Sequence, residues 1–544
     1  MTTATRVALA LLSGLALAAA FPKLDLSLLA WIAFVPLLYA LVGLKPRQVF
    51  LYSWLQGFTC YVGSVYWIVF TLHNFTSIGL AVAVLPMLLL AGVLAIYTAG
   101  AFTIAVYAGA RLRLPIVVTL PIAWTAIEWV RTYFPIGFPW NLLGYTAYQN
   151  LDLIQFVEFT GVYGLSALIM LANAVVFLIL AQAGSRRLQA WSLAVLTFLM
   201  VGAELFGSLR LHRLARRSAT GTLKVAMVQG NIPQSLKWDP RFLETSFQVY
   251  LDQSATAARR GADLIIWPEA AAAFFFQPED RYPIQFAADE AYRQRLLRFA
   301  AHLGDPILFG APALGVQDNR VGFYNRAYLV SGTGQVLAWY DKIQLVPFGE
   351  YVPLRSVFGF FVNRVVTGFG DMFPGRAQTI FELKGARLGV LICYESIFPN
   401  LARQAVKDGA DVLVNITNDA WYGESSAPYQ LLAMASMRAV ETKVPMVRVA
   451  NTGISAVIAP SGEITARTPL FTRGVESEIV RWRPERTLYT IIGDAFAETC
   501  FALMVIGLIA ALVRPRYARP VESMSIPLSI NGNPRYPGDP SGYH

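Results

Sequence analysis

Long apolar runs separated by short polar turns fill the first part of the chain and return once near its end. A helix needs roughly 20 apolar residues to cross a bilayer. The runs therefore predict eight membrane-spanning helices, seven before residue 210 and one near the end of the chain. They cover residues 6–22, 24–44, 49–73, 77–109, 114–132, 161–183, 189–207 and 490–513.

Between about residues 222 and 485 the pattern changes to short β-branched strands that alternate with helical stretches. Continuous apolar strands such as "RLGVLIC" and "DVLVNIT" suit sheets that are covered on both faces. We predict an α/β domain in which helices pack over two sheets. Predicted strands cover 223–228, 264–267, 307–310, 326–330, 336–340, 388–392, 412–416, 446–450 and 455–459, and predicted helices cover 241–260, 288–303, 397–408 and 428–442.

These patterns divide the chain into four parts. Residues 1–210 are predicted to form seven membrane helices, 222–485 the α/β domain and 490–513 the eighth membrane helix. Residues 517–544 are rich in Pro, Ser, Gly and Asn. Such a composition is typical of a disordered tail, which we expect on the cytoplasmic side.

Composition supports a membrane protein. The chain is 56% hydrophobic and only 14% charged, whereas soluble domains are about 25% charged. The net charge is +10, but the Arg and Lys residues flank apolar runs, as topology signals do. We see no basic stripe with interleaved aromatic residues, and therefore expect no nucleic-acid partner.

The bias of positive charge sets the predicted orientation, because cytoplasmic loops are enriched in Lys and Arg. With eight spans, the opposite loops carry only Lys23 and Arg131, so both termini are predicted to be cytoplasmic. The α/β domain then lies on the periplasmic side of a bacterial inner membrane. Arg210, Arg213, Arg216 and Arg217 disagree with this assignment. The cytoplasmic side would hold Arg6, Lys45, Arg47, Arg111, Arg113, Arg186, Arg187, Arg514 and Arg516.

The chain contains few residues that bind metals. Its three cysteines form no CxxC pair, and its four histidines are not spaced as metal ligands. We therefore expect no metal and no cofactor. The scarcity of histidine also makes a Cys–His catalytic pair improbable.

Three polar residues follow predicted strands, where α/β folds usually assemble their sites. They are Glu269 in "WPEA", Lys342 in "YDKIQLVPFGEYVP" and Cys393 in "GVLICYES". A carboxylate would accept the thiol proton, and a lysine would stabilise an oxyanion. Taken singly, each has a structural explanation, namely a buried cysteine, a helix cap and a surface lysine. Together they supply the base, the cation and the nucleophile that acyl transfer requires.

These three motifs, in this order over residues 222–485, resemble the Glu–Lys–Cys triad of the nitrilase (carbon–nitrogen hydrolase) superfamily. A nitrilase-like domain with seven spans before it and one after it resembles the apolipoprotein N-acyltransferase family. "FGEYVPLR", "NITNDAWYG" and "RVANTGIS" are similar to motifs of that family. The resemblance implies an α-β-β-α sandwich and covers nearly the whole chain.

The resemblance also implies a reaction. Such enzymes transfer a fatty acyl chain from a phospholipid to the α-amino group of a lipoprotein's N-terminal diacylglyceryl-cysteine, which is the last step of lipoprotein maturation. It makes Cys393 the nucleophile and thioester carrier, Glu269 the general base and Lys342 the stabiliser of the tetrahedral intermediate. Expected partners are a phospholipid donor, a diacylated lipoprotein and membrane lipids, and we expect a monomer.

Four further residues are candidates for support or substrate contact. The resemblance makes Glu350 a second essential glutamate, on the oxyanion side or orienting Lys342. Tyr394 and Glu395 flank the nucleophile, and Trp238 in "SLKWDP" is similar to a substrate-contact position.

Apolar segments near the triad suggest a lipid entrance. "AAAFFFQPED" follows Glu269 and "SVFGFFVNRVVTGFGDMF" follows Glu350. Exposed apolar segments of this size usually mark a membrane, ligand or partner surface, and we interpret these two as a lid. The segment 133–145 is rich in Trp, Tyr and Pro and fits the bilayer interface.

Two other functions are compatible with the sequence. One is a membrane-anchored amidase or nitrilase that hydrolyses a lipidic amide or ester, because it would use the same triad. The other is a transporter or lipid-binding scaffold with a degenerate domain. The intact triad and the few ionisable residues within the spans count against the second alternative.

Overall fold

The computed structural model describes residues 1–514 except residues 77, 278–286, 318–319, 353–371 and 484. Helices occupy the chain up to residue 216 and again from residue 488, and the strands lie between them. The predicted tail 517–544 lies outside the described residues. So does most of the predicted lid segment 356–373.

The N-terminal region is entirely helical. Apolar stretches rich in Leu, Ala and Val favour helix because every backbone polar group is then satisfied within the segment. Its helices are α1 (Thr3–Ala20), α2 (Val35–Leu41), α3 (Pro46–Val65), α4 (Trp67–Phe75), α5 (Leu80–Leu112), α6 (Ile116–Tyr133), α7 (Leu151–Ile154), α8 (Val157–Thr160), α9 (Val162–Leu180) and α10 (Arg186–Arg216).

Five described helices are long and apolar enough to cross a membrane, namely α1, α5, α9, α10 and the C-terminal helix Ala495–Val513. Helices α3 and α4 are bent by 50° relative to each other and make a sixth span if they are counted together. Helix α5 has 33 residues and is unbroken, which confirms the prediction of one helix over 77–109.

The predicted count of eight spans is not confirmed. The run 24–44 forms only a short apolar segment, a 3-10 helix Ser27–Trp31 followed by α2. Pro36 lies in the first turn of α2 and has no N–H with which one continuous α-helix could extend back over the preceding residues. Helix α6 has 18 residues but is less apolar than the five, since it carries Glu128 and Arg131.

The α/β region contains two six-stranded sheets, with strand orders β12-β1-β2-β3-β4-β5 and β11-β10-β9-β8-β7-β6. At the centre of the first sheet β2 pairs in parallel with both β1 and β3, and at the centre of the second sheet β8 pairs in parallel with both β7 and β9. The strands are β1 (Gly221–Gln229), β2 (Leu264–Ile266), β3 (Ile307–Gln317), β4 (Arg320–Val330), β5 (Val336–Asp341), β6 (Ile380–Leu383), β7 (Ala386–Ile392), β8 (Val412–Thr417), β9 (Met446–Ala450), β10 (Ala456–Ile458), β11 (Ile464–Arg467) and β12 (Gly474–Trp482).

Helices cover the outer faces of the two sheets. Helix α12 packs on β1 and β2, α14 packs on β7 and β8, and the sheets contact each other through β1 with β9 and β4 with β7. This layering confirms the predicted α-β-β-α sandwich. The remaining helices are α11 (Gln234–Lys237), α12 (Pro240–Arg259), α13 (Ala287–Leu303), α14 (Pro399–Lys407), α15 (Ala427–Thr442), α16 (Leu488–Ile492) and α17 (Ala495–Val513).

All nine predicted strands are present, and three strands were missed, namely β6, β11 and β12. Strands β6 and β11 have only four residues each and lie at the edges of their sheet. Strand β12 alternates charged and apolar residues and pairs antiparallel with β1 over its whole length. Its continuous pairing with a distant strand compensates for a weak local pattern.

Helix α15 connects the sandwich to the membrane helices through polar contacts. Gln430 accepts a hydrogen bond from Trp140 Nε1 (2.7 Å) and donates to the carbonyls of Pro22 and Ser64 (both 3.1 Å). A buried amide that is satisfied from several elements favours one mutual arrangement of those elements. The sandwich and the helices therefore share a specific junction.

A second junction contains buried charges. Arg210 of α10 is 7% exposed and pairs with Glu158 (2.9 Å) and Glu485 (2.6 Å), and Lys443 lies 3.3 Å from Glu158. Arg210 disagreed with the charge bias at the sequence level. Its position explains the disagreement, since it serves an internal ion pair.

The close contact of α10 with α7 can be tested at Gly207. A Cβ on Gly207 would lie 1.7 Å from the carbonyl oxygen of Asp152. We expect Gly207→Ala to lower the thermal unfolding midpoint clearly, because the two helices must separate. Gly202→Ala is the control in the same helix, since nothing lies within 4 Å of its Cβ position. That exchange is expected to be neutral or stabilising by up to about 1 kcal/mol. Equal midpoints for the two variants would contradict the contact.

Candidate active site

Glu269, Lys342 and Cys393 come together because three strands of two facing sheets end at the same place. Glu269 follows β2, Lys342 directly follows β5 in the same sheet, and Cys393 directly follows β7 in the other sheet. The strands are apolar and buried, so each chain end emerges at a defined depth. All three side chains are buried, at 7%, 1% and 5% exposure respectively.

Glu269 is held by hydrogen bonds to both carboxylate oxygens. Asn325 Nδ2 donates to Oε1 (2.7 Å), and the backbone N–H of Asn418 donates to Oε2 (2.9 Å). Gly310 of β3 leaves room for this turn, because a Cβ there would lie 2.8 Å from Glu269 Cα. The carboxylate is therefore fixed from both sheets.

Lys342 lies between two carboxylates. Its Nζ is 2.8 Å from Glu350 Oε1 and 3.6 Å from Glu269 Oε1. Burial alone would lower the pKa of Lys342, but Glu350 and Glu269 outweigh burial and raise this pKa above its usual value. The side chain consequently stays positively charged across the physiological range.

Cys393 begins a short 3-10 helix, Cys393–Ile397, with φ at +52°. Few residues other than glycine adopt this region, and such turns are common at functional sites. Burial and the nearby Glu269 raise the pKa of the thiol to about 12, against the lowering effects of Lys342 and of a hydrogen bond with Thr417. The resting thiol is therefore neutral and needs a base when it reacts.

Glu350 lies against Lys342, with its Oε1 2.8 Å from Lys342 Nζ. Its Oε1 also accepts from Asn325 Nδ2 (3.1 Å), and its Oε2 accepts from the backbone N–H of Val346 (2.8 Å). Asn325 was missed at the sequence level, although it joins the two carboxylates. No local signal identified it, because it lies inside β4 and not at a strand end.

Glu395 ties the lysine loop to the cysteine turn. It is fully buried, and its Oε1 accepts from the Tyr340 hydroxyl (2.9 Å) and from the backbone N–H groups of Ile343 (2.7 Å) and Gln344 (3.0 Å). Its Oε2 accepts from the N–H of Ile392 (2.7 Å). These bonds hold the residues beside Lys342 and Cys393 in register with each other.

Tyr394 faces the membrane region. Its hydroxyl donates to the carbonyl of Gly137 (3.3 Å), and its ring packs against Phe398. Gly137 lies in the segment 133–145, for which we predicted a position at the bilayer interface. Within that segment Phe134 is 67% exposed, whereas Trp140 is 1% exposed and its ring lies tilted against that of Trp67. The segment thus connects the surface to the cysteine turn.

Trp238 lies at the end of α11, beside the site, and is 38% exposed. Its neighbour Lys237 was missed, although "SLKWDP" had drawn attention to this segment. Lys237 is 3% exposed, and its Nζ donates to the backbone carbonyl of Glu269 (2.8 Å). The structure therefore brings six of the predicted residues and Lys237 together, and Trp238 directly follows Lys237 in the chain.

The lid interpretation of the segment after Glu269 is wrong for two of its phenylalanines. Phe274 and Phe276 are 2% and 0% exposed. Phe274 packs edge-on against Phe247, and Phe276 against Phe309. These rings belong to the core because the segment runs inward beneath the outer helices.

Within the described part of the chain, no group of three His, Cys, Asp or Glu side chains is arranged to hold a metal ion. The reactive groups at hand are a thiol, two carboxylates and two ammonium groups. Such a set is sufficient for nucleophilic acyl transfer with general-base assistance.

Two family models match the chain. The carbon-nitrogen hydrolase family matches residues 224–480, and the apolipoprotein N-acyltransferase N-terminal domain matches residues 13–175. An amidase from Nesterenkonia sp. has 23% identity and a TM-score of 0.37, and the match covers 52% of this chain and 97% of that one. Fold and site define a membrane-bound member of the carbon–nitrogen hydrolase superfamily.

Two relatives identify the family within this superfamily. An apolipoprotein N-acyltransferase of Geobacter metallireducens is 40% identical over 498 residues, covering 91% of this chain and 93% of that protein. Another, from Methylococcus capsulatus, is 31% identical over 513 residues, covering 94% and 95%. The chain is therefore an acyltransferase and belongs to the apolipoprotein N-acyltransferase family.

The contact of Asn325 with both glutamates gives a test. Asn325→Asp would replace two donated hydrogen bonds by a third carboxylate, so we expect the rate of acyl transfer to fall about hundredfold. Initial rates and thermal unfolding are to be measured together. Asn74→Asp is the matched exchange, since Asn74 is exposed and donates to Phe70 O of its own helix. An Asn325→Asp rate within about threefold of wild type would contradict the assignment.

Proposed function

We propose that this protein transfers a fatty acyl chain from a phospholipid to the α-amino group of the N-terminal diacylglyceryl-cysteine of a lipoprotein, through a thioester on Cys393. The observation that carries the proposal is the convergence of Glu269, Lys342 and Cys393 in one buried site of a sandwich joined to apolar helices. The relatives' printed name supports the acceptor class.

In the first half-reaction, the Glu269 carboxylate takes the proton of the Cys393 thiol as the sulfur attacks the carbonyl carbon of the phospholipid ester. The carbonyl electron pair moves to oxygen, and the Lys342 ammonium stabilises the resulting oxyanion. The intermediate collapses by breaking the ester C–O bond. The leaving lysophospholipid oxygen receives the proton from Glu269, and the acyl group remains on sulfur.

In the second half-reaction, the free amine of the lipoprotein attacks the thioester carbon and Glu269 accepts a proton from that nitrogen. The C–S bond breaks, an amide forms, and the thiolate regains a proton. The high pKa of the resting thiol fits this cycle, because a neutral thiol persists until Glu269 takes its proton. No co-reactant beyond the two substrates is required.

Glu350 serves this reaction by holding Lys342, since it accepts a hydrogen bond from Nζ at 2.8 Å. Tyr394 and Glu395 support the cysteine turn through their contacts with Gly137 and with the lysine loop. Trp238 contacts the substrate. In support of this contact, the Trp238 side chain is 38% exposed and Trp238 directly follows Lys237, whose Nζ donates to the backbone carbonyl of Glu269.

The enzyme acts as a monomer in the bacterial inner membrane, with its sandwich in the periplasm and both termini in the cytoplasm. The chain divides into helices 1–210, the catalytic domain 222–485, the last span 490–513 and the tail 517–544, with eight crossings in total. The arginines support this orientation, since Arg111 donates to Ala511 O (3.0 Å) at the helix ends away from the sandwich. Thr71 and Lys23 instead contact the sandwich at the carbonyls of Trp421 and Glu424.

The covalent intermediate provides the decisive test. Incubation of the full-length protein with a labelled phospholipid is expected to add one acyl mass at Cys393, which hydroxylamine releases. Cys393→Ala is expected to abolish both the adduct and acyl transfer. Cys500→Ala is the matched control, because Cys500 lies in α17. This substitution should leave the adduct and acyl transfer intact. Full acyl-transfer activity of Cys393→Ala would refute the mechanism, because the acyl group would then not be carried on this sulfur.

The same intermediate distinguishes transfer from hydrolysis. If the isolated thioester persists in water and decays on addition of a diacylated lipopeptide with a free amine, the acceptor is the amine. Rapid decay in buffer alone, with no acylated lipopeptide, would instead identify a membrane-anchored hydrolase.

Reporter fusions test the orientation and the number of crossings. Alkaline phosphatase, which is active only in the periplasm, is expected to be active when fused after Lys23 or Arg217 and inactive after Lys45 or Arg514. A fusion after Lys45 that is as active as one after Lys23 would show that 24–44 does not cross the membrane. Activity after Arg514 would contradict the cytoplasmic C-terminus.

A further inference from the structure

Lys237 is a buried lysine next to the triad that the reaction described above does not use. It is 3% exposed and ends the short helix α11. Its Nζ donates to the backbone carbonyl of Glu269 at 2.8 Å. A buried ammonium has three donors and is costly to desolvate, so a lysine in this position needs negative charge nearby.

The charges around Lys342 show what Lys237 supplies. Glu269 and Glu350 both lie against Lys342, at 3.6 Å and 2.8 Å, and both accept from Asn325. Two carboxylates and one ammonium in a buried site leave one negative charge in excess. Such an excess favours protonation of one carboxylate. A protonated Glu269 would be unable to act as a base.

We propose that Lys237 is a positioning residue of the acyl transfer: it fixes the main chain at Glu269 and adds the second positive charge that keeps this carboxylate ionised beside Glu350. This inference rests on the proposed function, in which Glu269 takes the thiol proton. Lys237 acts through Glu269 and needs no contact with the substrate.

The electrostatic surroundings agree with this role. The titratable groups that face Glu269 include Lys342 after β5, Glu350 in the loop that follows, Cys393 after β7, Tyr422 after β8 and Lys237 on α11. Burial lowers the pKa of Lys237 to about 8, while Glu269 and then Cys393 act to raise it. Lys237 is therefore charged below about pH 8, which includes the range in which a carboxylate base gains or loses its proton.

The test is the pH profile of thioester formation in the full-length protein, measured with a labelled phospholipid in detergent micelles. Lys237→Gln keeps a donor for the Glu269 carbonyl and removes the charge. We expect its acid limb to move up by about one pH unit, so that the rate falls by up to about tenfold on the acid side of the limb and stays close to wild type on the plateau above it. Lys237→Arg keeps the charge and should retain the wild-type acid limb.

A matched control is Lys224→Gln, because Lys224 donates to the backbone carbonyl of Arg260 on the outer face of the same domain. Its profile should coincide with that of the wild type, and thermal unfolding of every variant establishes that the fold is intact. A Lys237→Gln rate that equals wild type, or is lower by the same factor at every pH, would overturn the inference. An acid limb for Lys237→Arg that moves as in Lys237→Gln would overturn it as well. If the wild type itself forms no thioester, the proposed function fails, and this outcome is distinct from the others.

Discussion

The Lys342 ammonium is buried to 1% exposure, and water contributes little to its solvation. Its charge has to be balanced by protein groups, and the carboxylates of Glu350 at 2.8 Å and Glu269 at 3.6 Å balance it. This requirement determines where three strand ends and the loop after β5 meet. The same burial makes the Cys393 thiol neutral at rest and so gives Glu269 its task as a base.

The cysteine turn is supported by the membrane region as well as by the sheets. Arg438 of α15 donates to the carbonyl of Ile397 (3.0 Å), at the end of the turn, and to Glu441 (3.0 Å). Glu441 in turn accepts from the backbone N–H of Val162 (2.9 Å), where α9 begins. Since all of these groups are buried, a shift of the helices would strain the turn. The cysteine turn is therefore linked to the start of α9 by a chain of buried hydrogen bonds.

Much of the fold followed from local patterns. The nine predicted strands are short, apolar and mostly buried on both faces, so a contiguous run of β-branched residues was a sufficient signal. Glu269, Lys342 and Cys393 were predictable because each is a polar residue at or near the end of such a strand. The family resemblance added roles that no local pattern specifies. The count of spans was less secure, because Pro36 and the polar residues of α6 shorten or weaken two of the apolar runs.

By itself, then, the sequence determined the two architectures, the strands of the sandwich and the three reactive residues, because these depend on local periodicity and on motifs a few residues long. Only the tertiary structure decided which polar groups complete the site. Asn325 lies in the middle of a strand, and Lys237 lies next to Trp238, the residue that the motif indicated. Glu395 accepts hydrogen bonds from two chain segments about 50 residues apart. Phe274 and Phe276 belong to a segment that the sequence predicted as a lid, but both are buried in the core. In each case the deciding contact joins segments distant in the chain, and no local pattern records such contacts.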